Sequence, residues 1–189
     1  MILQDIKNNY KNIDWLKKNA QMIHYFGLGF IQLKLALKED ISIYRLHFYT
    51  EKLPPIIGDE DIHDHRYPFI SHILKGKFSQ TLFQLIDGDS YILEYESCKE
   101  GTEPEFIRKC NFDAIYISTY TAGSVYGLNH DTFHKVETEE AITLLCRPER
   151  YEVERARVGR LVDSPKVCPF SKKIEEKELW DIVASMLED

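Results

Sequence analysis

The chain has 189 residues, a length that one domain with a substantial core accounts for. Its formal net charge is −7 and no basic block stands out, which disfavours a nucleic-acid groove or an anionic membrane surface. No apolar run approaches membrane-spanning length, and Lys7, Lys11, Asp14, Lys17 and Lys18 interrupt what would be the apolar core of an export signal. The expectation is a cytoplasmic protein with no nucleic acid and no membrane among its partners. Its four cysteines, Cys98, Cys110, Cys146 and Cys168, contain no CxxC pair and then read as reduced thiols.

Residues 2–25 read as helix. Ile2, Ile6, Tyr10, Ile13, Leu16, Ala20 and Ile23 fall near helical spacing, Asn12 or Asp14 is a candidate break, and Gly27 and Gly29 end the segment. His24 is then a half-buried helix residue. From Phe30 to Lys38 the apolar residues alternate, with Ile31, Leu33, Leu35 and Leu37 on one face, and this predicts a strand. After a turn at Lys38-Glu39-Asp40, Ile41 to Tyr49 is the next strand. It sets Tyr44, Leu46 and Phe48 against Arg45 and His47, and both sets are bulky, so the inward face stays open. Pro54-Pro55 and Gly58-Asp59 mark a loop, and Pro68 marks a loop, bulge or edge. Strands are expected at Ser71 to Phe78 and Thr81 to Ile86. Asp87-Gly88 reads as a hairpin turn before a strand at Tyr91 to Glu96. A loop at Cys98 to Glu105 precedes short strands at Phe106 to Cys110 and Phe112 to Thr119. Ala141 to Arg147 and Tyr151 to Val158 are the last strands. Pro165 and Pro169 lie in an irregular crossing, and Ser171 caps a final helix to about Leu187. Short strands at close spacing, with helices only at the ends, predict one domain over 1–189. It comprises an N-terminal helical segment over 1–27, an antiparallel barrel or double sheet over 28–160, and a C-terminal helix over 171–188.

Two stretches carry the chemistry. In Ile62-His63-Asp64-His65 the histidines are at i and i+2, so on a strand they share one face while Asp64 takes the other. Two neutral imidazoles on one face can bind one divalent ion at adjacent positions. Gly123 to His134 ends in a histidine inside a strand-like run, and an antiparallel barrel can bring His134 beside the first pair.

These stretches resemble the two motifs of the cupin family. Gly58, His63, His65 and Gly76 match the first, and Gly123 and His134 match the second. The family's glutamate slot falls near Phe69 or Ile70, so that ligand is missing. Asn129 and Asp131 stand where the family has Pro and Gly. The resemblance covers roughly residues 40–150. It implies a mainly β fold, an antiparallel cupin (jelly-roll) barrel, with one metal held by His63, His65 and His134. Iron(II) is the first choice, and zinc, nickel and manganese stay open. Within the family, a three-histidine site without the glutamate is similar to the thiol dioxygenases, of which cysteine dioxygenase is one.

That similarity implies an iron(II) dioxygenase acting on a small thiol or carboxylic acid. Two alternatives stand beside it: an isomerase, epimerase or lyase using the metal as a Lewis acid, and a non-catalytic cupin that binds a small molecule or metal. Tyr126 and His72 are candidate catalytic residues, and His72 is also a candidate fourth ligand. Arg66, next to the second ligand, is a candidate clamp for a substrate carboxylate, with an ion pair to Asp61 as the plainer reading. His130 is a candidate substrate-binding residue at the pocket rim. A homodimer built on sheet edges is ordinary for such a fold.

Overall fold

The computed structural model describes residues 2–39, 42–53, 62–95, 104–149, 155–164 and 173–188. Gly58, Asp61, Cys98, Cys168, Pro165, Pro169, Ser171 and the loops around Pro54-Pro55 and Gly101 lie outside the described residues. The start of the strand expected from Tyr151 lies outside them as well.

The N-terminal segment departs from the expected single helix. Helix α1 spans Ile2–Asn9 and α2 spans Ile13–Asn19. Asn12 caps α2, its side chain accepting from the Trp15 N–H at 3.0 Å. From Ala20 the chain is a strand, β1 (Ala20–Phe26), which forms an antiparallel hairpin with β2 (Phe30–Glu39) across a turn where Gly29 takes φ +90°. Ile23 and Tyr25 satisfy an alternating pattern as well as a helical one. The run Ile-His-Tyr-Phe favours strand, and pairing with β2 decides between them. His24 is therefore a strand residue.

The sheets follow as β3 (Ser42–Tyr49), β4 (Ile62–His63), β5 (Phe69–Tyr95), β6 (Glu105–Thr121), β7 (Val125–Leu128), β8 (Phe133–Glu137), β9 (Ala141–Pro148) and β10 (Arg157–Leu161), with α3 (Glu176–Glu188) last. Every ladder is antiparallel. Helix α3 begins five positions after Ser171, and Trp180 joins its buried stripe with Leu179, Val183 and Met186.

The long strand β5 belongs to two sheets. Residues 69–76 pair with β7 and β9, completing a first sheet in the order β1-β2-β3-β9-β5-β7. Residues 77–95 pair with β6 along one edge and with β8 and then β10 along the other. The crossing point is Gly76, at φ +80°, where a Cβ would come 2.1 Å from the Glu140 carbonyl oxygen. The expected hairpin at Asp87-Gly88 is absent. The chain instead bulges from Asp87 to Ser90 and returns to the same ladder, with the Asn111 side chain of β6 seated against Gly88. Its side-chain oxygen accepts from the Ser90 N–H at 3.0 Å.

Side-chain alternation then assigns the faces. Ile31, Leu33, Leu46, Phe48, Ile142 and Leu144 of the first sheet pack with Ile6, Leu16, Leu179 and Val183 of the helices. Full burial of each such side chain contributes about 1.5–3 kcal/mol. This core occupies one face of the first sheet, and the opposite face of that sheet, carrying Gln32, Arg45, His47, Thr143 and Arg147, looks toward the second sheet. Among the described residues no ladder joins β1 to the second sheet, so the double sheet is open on that side. No helix there is long and apolar enough to cross a membrane, and Cys110 and Cys146 are free thiols.

Candidate metal centre

Strand β4 is two residues long and is held from both sides. His63 pairs with Val158 of β10 and with His134 of β8. Past the strand, the His65 N–H donates to the His130 carbonyl at 2.9 Å. Asp64 points the other way, as alternation requires, and is 5% exposed. Its carboxylate accepts from the Arg157 backbone N–H at 2.5 Å and from Arg157 Nε at 2.7 Å. The Arg157 guanidinium also lies 4.8 Å over the Phe133 ring, next to the third histidine. One arginine therefore ties the segment bearing His63 and His65 to the strand bearing His134. Burial pushes the Asp64 carboxyl up, and the Arg157 hydrogen bonds pull it back.

The three imidazoles converge. One ring nitrogen from each of His63, His65 and His134 lies within 4.8 Å of the others. His65 Nε2 and His134 Nε2 are 2.8 Å apart. Two neutral ring nitrogens this close share either a proton or a cation. Adjacent ligands of an ion bound at about 2.0–2.1 Å stand about 3 Å apart, so the spacing fits a metal. Burial, then the neighbouring His63, holds both His65 and His134 well below the usual histidine range. Both are neutral at pH 7, the form that ligates. His134 Nδ1 is buried and has no hydrogen-bond partner. The ring is positioned by packing against His63, His65 and Phe69, where ligating histidines generally use an acceptor.

The remaining sequence-derived site residues divide. Phe69, one of the two residues near the glutamate slot that the resemblance implies, is 5% exposed and stands edge-on to His65 with ring centroids 4.8 Å apart. Tyr126 faces the same interior. It stacks on Phe78 and Tyr120, meets Phe69 edge-on, and its hydroxyl hydrogen-bonds Ser71. Burial pushes its phenol above the usual tyrosine range. His72 is not at the centre. Phe69, Ser71 and Ile73 are the inward residues of β5, so His72 points toward the helices, where its Nδ1 lies 3.0 Å from Lys7 Nζ. The bend before β5 does not change that parity, so His72 lies on the opposite face of the first sheet from the three imidazoles. His130 contributes its backbone carbonyl, while its side chain acts electrostatically on Asp64, on the side away from the three imidazoles. Arg66 lies on the bend after His65, half-buried. Its neighbour Tyr67 is the residue the arginines of the first sheet engage: Arg45 Nη1 donates to the Tyr67 hydroxyl at 2.8 Å, and Arg147 lies 4.2 Å over its ring. Arg147 and Tyr67 escaped sequence reasoning. The one available signal was the odd-numbered register that Thr143 and Arg147 share.

No family model matches the chain, and no curated protein matches it. The solved structures similar to it include a cupin. This is an RmlC-like cupin from Shewanella frigidimarina NCIMB 400, 14% identical over 70% of this chain and 86% of that one, with a TM-score of 0.39. A variant of the Bacillus subtilis oxalate decarboxylase is 12% identical over 69% of this chain and 28% of its own, with a TM-score of 0.39. The hydroxypropylphosphonic acid epoxidase of S. wedmorenis is 8% identical over 63% of this chain and 50% of its own, with a TM-score of 0.35. Likeness this distant leaves the chemistry of the centre to its own geometry.

Proposed function

We propose that His63, His65 and His134 hold one divalent ion, iron(II) by first choice, and that the protein is an iron(II) dioxygenase of a small thiol or carboxylic acid. The observation that carries the reading is the convergence of three ring nitrogens, two of them from imidazoles kept neutral by burial, with a phenylalanine edge-on to His65 beside them. An all-imidazole ligand set is uncharged, so a bound ion keeps its full charge toward an incoming anion and, as iron, supplies a redox couple. The chain supplies the rest. Phe69, Phe78 and Tyr126 form an aromatic wall that excludes water beside the histidines. Tyr126, protonated across the physiological range and hydrogen-bonded to Ser71, is a neutral hydrogen-bonding group one ring away from His65.

The experiment loads the protein anaerobically with iron(II), adds a panel of small thiols and carboxylic acids, admits air and follows oxygen with an electrode. Oxygen uptake tied to loss of one compound is expected. Uptake no greater than free iron gives with every compound, together with tight binding of a non-oxidisable ligand, would replace this reading with Lewis-acid catalysis or binding alone.

A further inference from the structure

Three buried polar atoms at the second sheet have no hydrogen-bond partner: His134 Nδ1, Gln80 Oε1 and Ser118 Oγ. Buried polar groups are nearly always paired, and each one left unpaired destabilises the fold. The ladders make the three neighbours. Gln80 of β5 pairs with Ser118 of β6 on one side and with Val136 of β8 on the other, and Leu82, two residues on, pairs with His134. Gln80 is therefore directly across from Ser118 and diagonal to His134, on the same face as both. A diagonal neighbour about 7–8 Å away is within reach of a long side chain. The flanking residues of β5 identify the face as the inward one: Phe78 stacks on Tyr126, and Leu82 packs against the cluster of Phe69, Leu128 and Leu145. Gln80 and His134 are each 2% exposed, so bulk water serves neither.

The three groups are also chemically complementary. His134 turns Nε2 toward His65 Nε2, 2.8 Å away, so Nε2 is the nitrogen that meets a shared ion. Nδ1 then carries the proton and is a donor. The Gln80 Oε1 accepts, its Nε2 donates, and the Ser118 hydroxyl oxygen accepts. We propose that Gln80 is a positioning residue of the metal centre: its Oε1 accepts from His134 Nδ1–H when His134 ligates, and its Nε2 donates to Ser118 Oγ. One carboxamide set this way gives all three atoms a partner and leaves none over. It fixes the tautomer and ring plane of the third ligand from β5 and β6, two strands that supply no ligand themselves. The inference rests on the metal reading and deepens it by naming what holds His134 from behind.

The test compares two quantities in the purified full chain: zinc affinity, by titration against a competing chelator, and the Tm without zinc. Gln80→Met keeps the length of the side chain and removes both polar atoms. It should weaken zinc binding about ten- to a hundredfold, the loss usual for an outer partner of a ligating histidine. Its zinc-free Tm should stay at or above the wild-type value, because an unpaired buried acceptor is gone. Gln80→Glu keeps an acceptor for Nδ1–H and should bind zinc about tenfold or more tighter than Gln80→Met. Ser118→Ala leaves Oε1 in place and should weaken binding less than Gln80→Met does. Equal zinc affinity in wild type and Gln80→Met would overturn the proposal. So would a Gln80→Met chain that loses zinc-free Tm together with affinity, the mark of a packing role, or a Gln80→Glu chain that binds no better than Gln80→Met. If the buried acid of Gln80→Glu prevents folding, the comparison of wild type with Gln80→Met still decides. Wild type that retains no zinc refutes the metal reading itself, whereas tight wild-type binding that Gln80→Met shares refutes only the role of Gln80.

Discussion

His47 shows how much one position on the inward face costs. It is 7% exposed, it packs between Phe30 and Tyr49, and the Gln32 amide Nε2 lies 3.2 Å from its Nε2. Burial, then the Arg45 charge, pushes its pKa from 6.5 down to about 3. The folded state therefore keeps His47 neutral where the unfolded chain takes up a proton. Stability is complete above pH 6.5 and is lost as pH falls from there toward 3, by about 1.4 kcal/mol per pH unit for this one group. Burial lowers His65 and His134 in the same sense, so the wild-type loss is steeper. Denaturant unfolding at pH 7.5 and 5.0 is expected to show the drop, and His47→Gln should reduce it by the share of one proton. An equal drop in His47→Gln would contradict the assignment. At this scale the sequence was legible where a motif supplied the pattern, as with His63, His65 and His134. It was silent where both faces of a strand are bulky: Arg45 and His47 acquire an inward direction only because the helices cover Leu46 and Phe48.

Among the elements, the short strand β4 depends on β10. Gly159, paired with Ile62, has no room for a side chain, since a Cβ there would lie 2.1 Å from the Phe112 ring. That ring is itself wedged against Phe83, Tyr91 and Phe133. Gly159→Ala is expected to destabilise by about 1–3 kcal/mol through overpacking, and to lower metal affinity because Val158, next in the strand, pairs with His63. Chemical denaturation and metal titration check both parts, and unchanged stability would contradict the packing argument. The misread elements share a cause with this dependence. Residues 20–26 and the Asp87-Gly88 segment carry local signals for a helix and a hairpin. They lose those conformations to strand pairing, with Leu33 and Ile31 of the adjacent strand β2 in one case and with β6 around Asn111 in the other. Local pattern cannot report a competitor that arrives only with the fold.

For the whole molecule, the antiparallel double sheet and its terminal helices were legible because period-2 alternation and turn residues recur along the middle of the chain. The sharing of β5 between both sheets was not, since the sequence separates strands at 71–78 and 81–86 and nothing in it shows that they run on as one through Gly76. That long strand, with β8 alongside it, brings His134 to a segment of chain some seventy residues away in sequence. The central claim is that the fold assembles one metal centre from His63, His65 and His134. The most direct measurement is elemental analysis after loading with iron(II) or zinc and removal of free ion. Wild type should retain about one ion per chain, and His134→Ala should lose most of it, because two imidazoles hold an ion far less tightly than three. Full occupancy in His134→Ala, or no retained ion in wild type, would contradict the account.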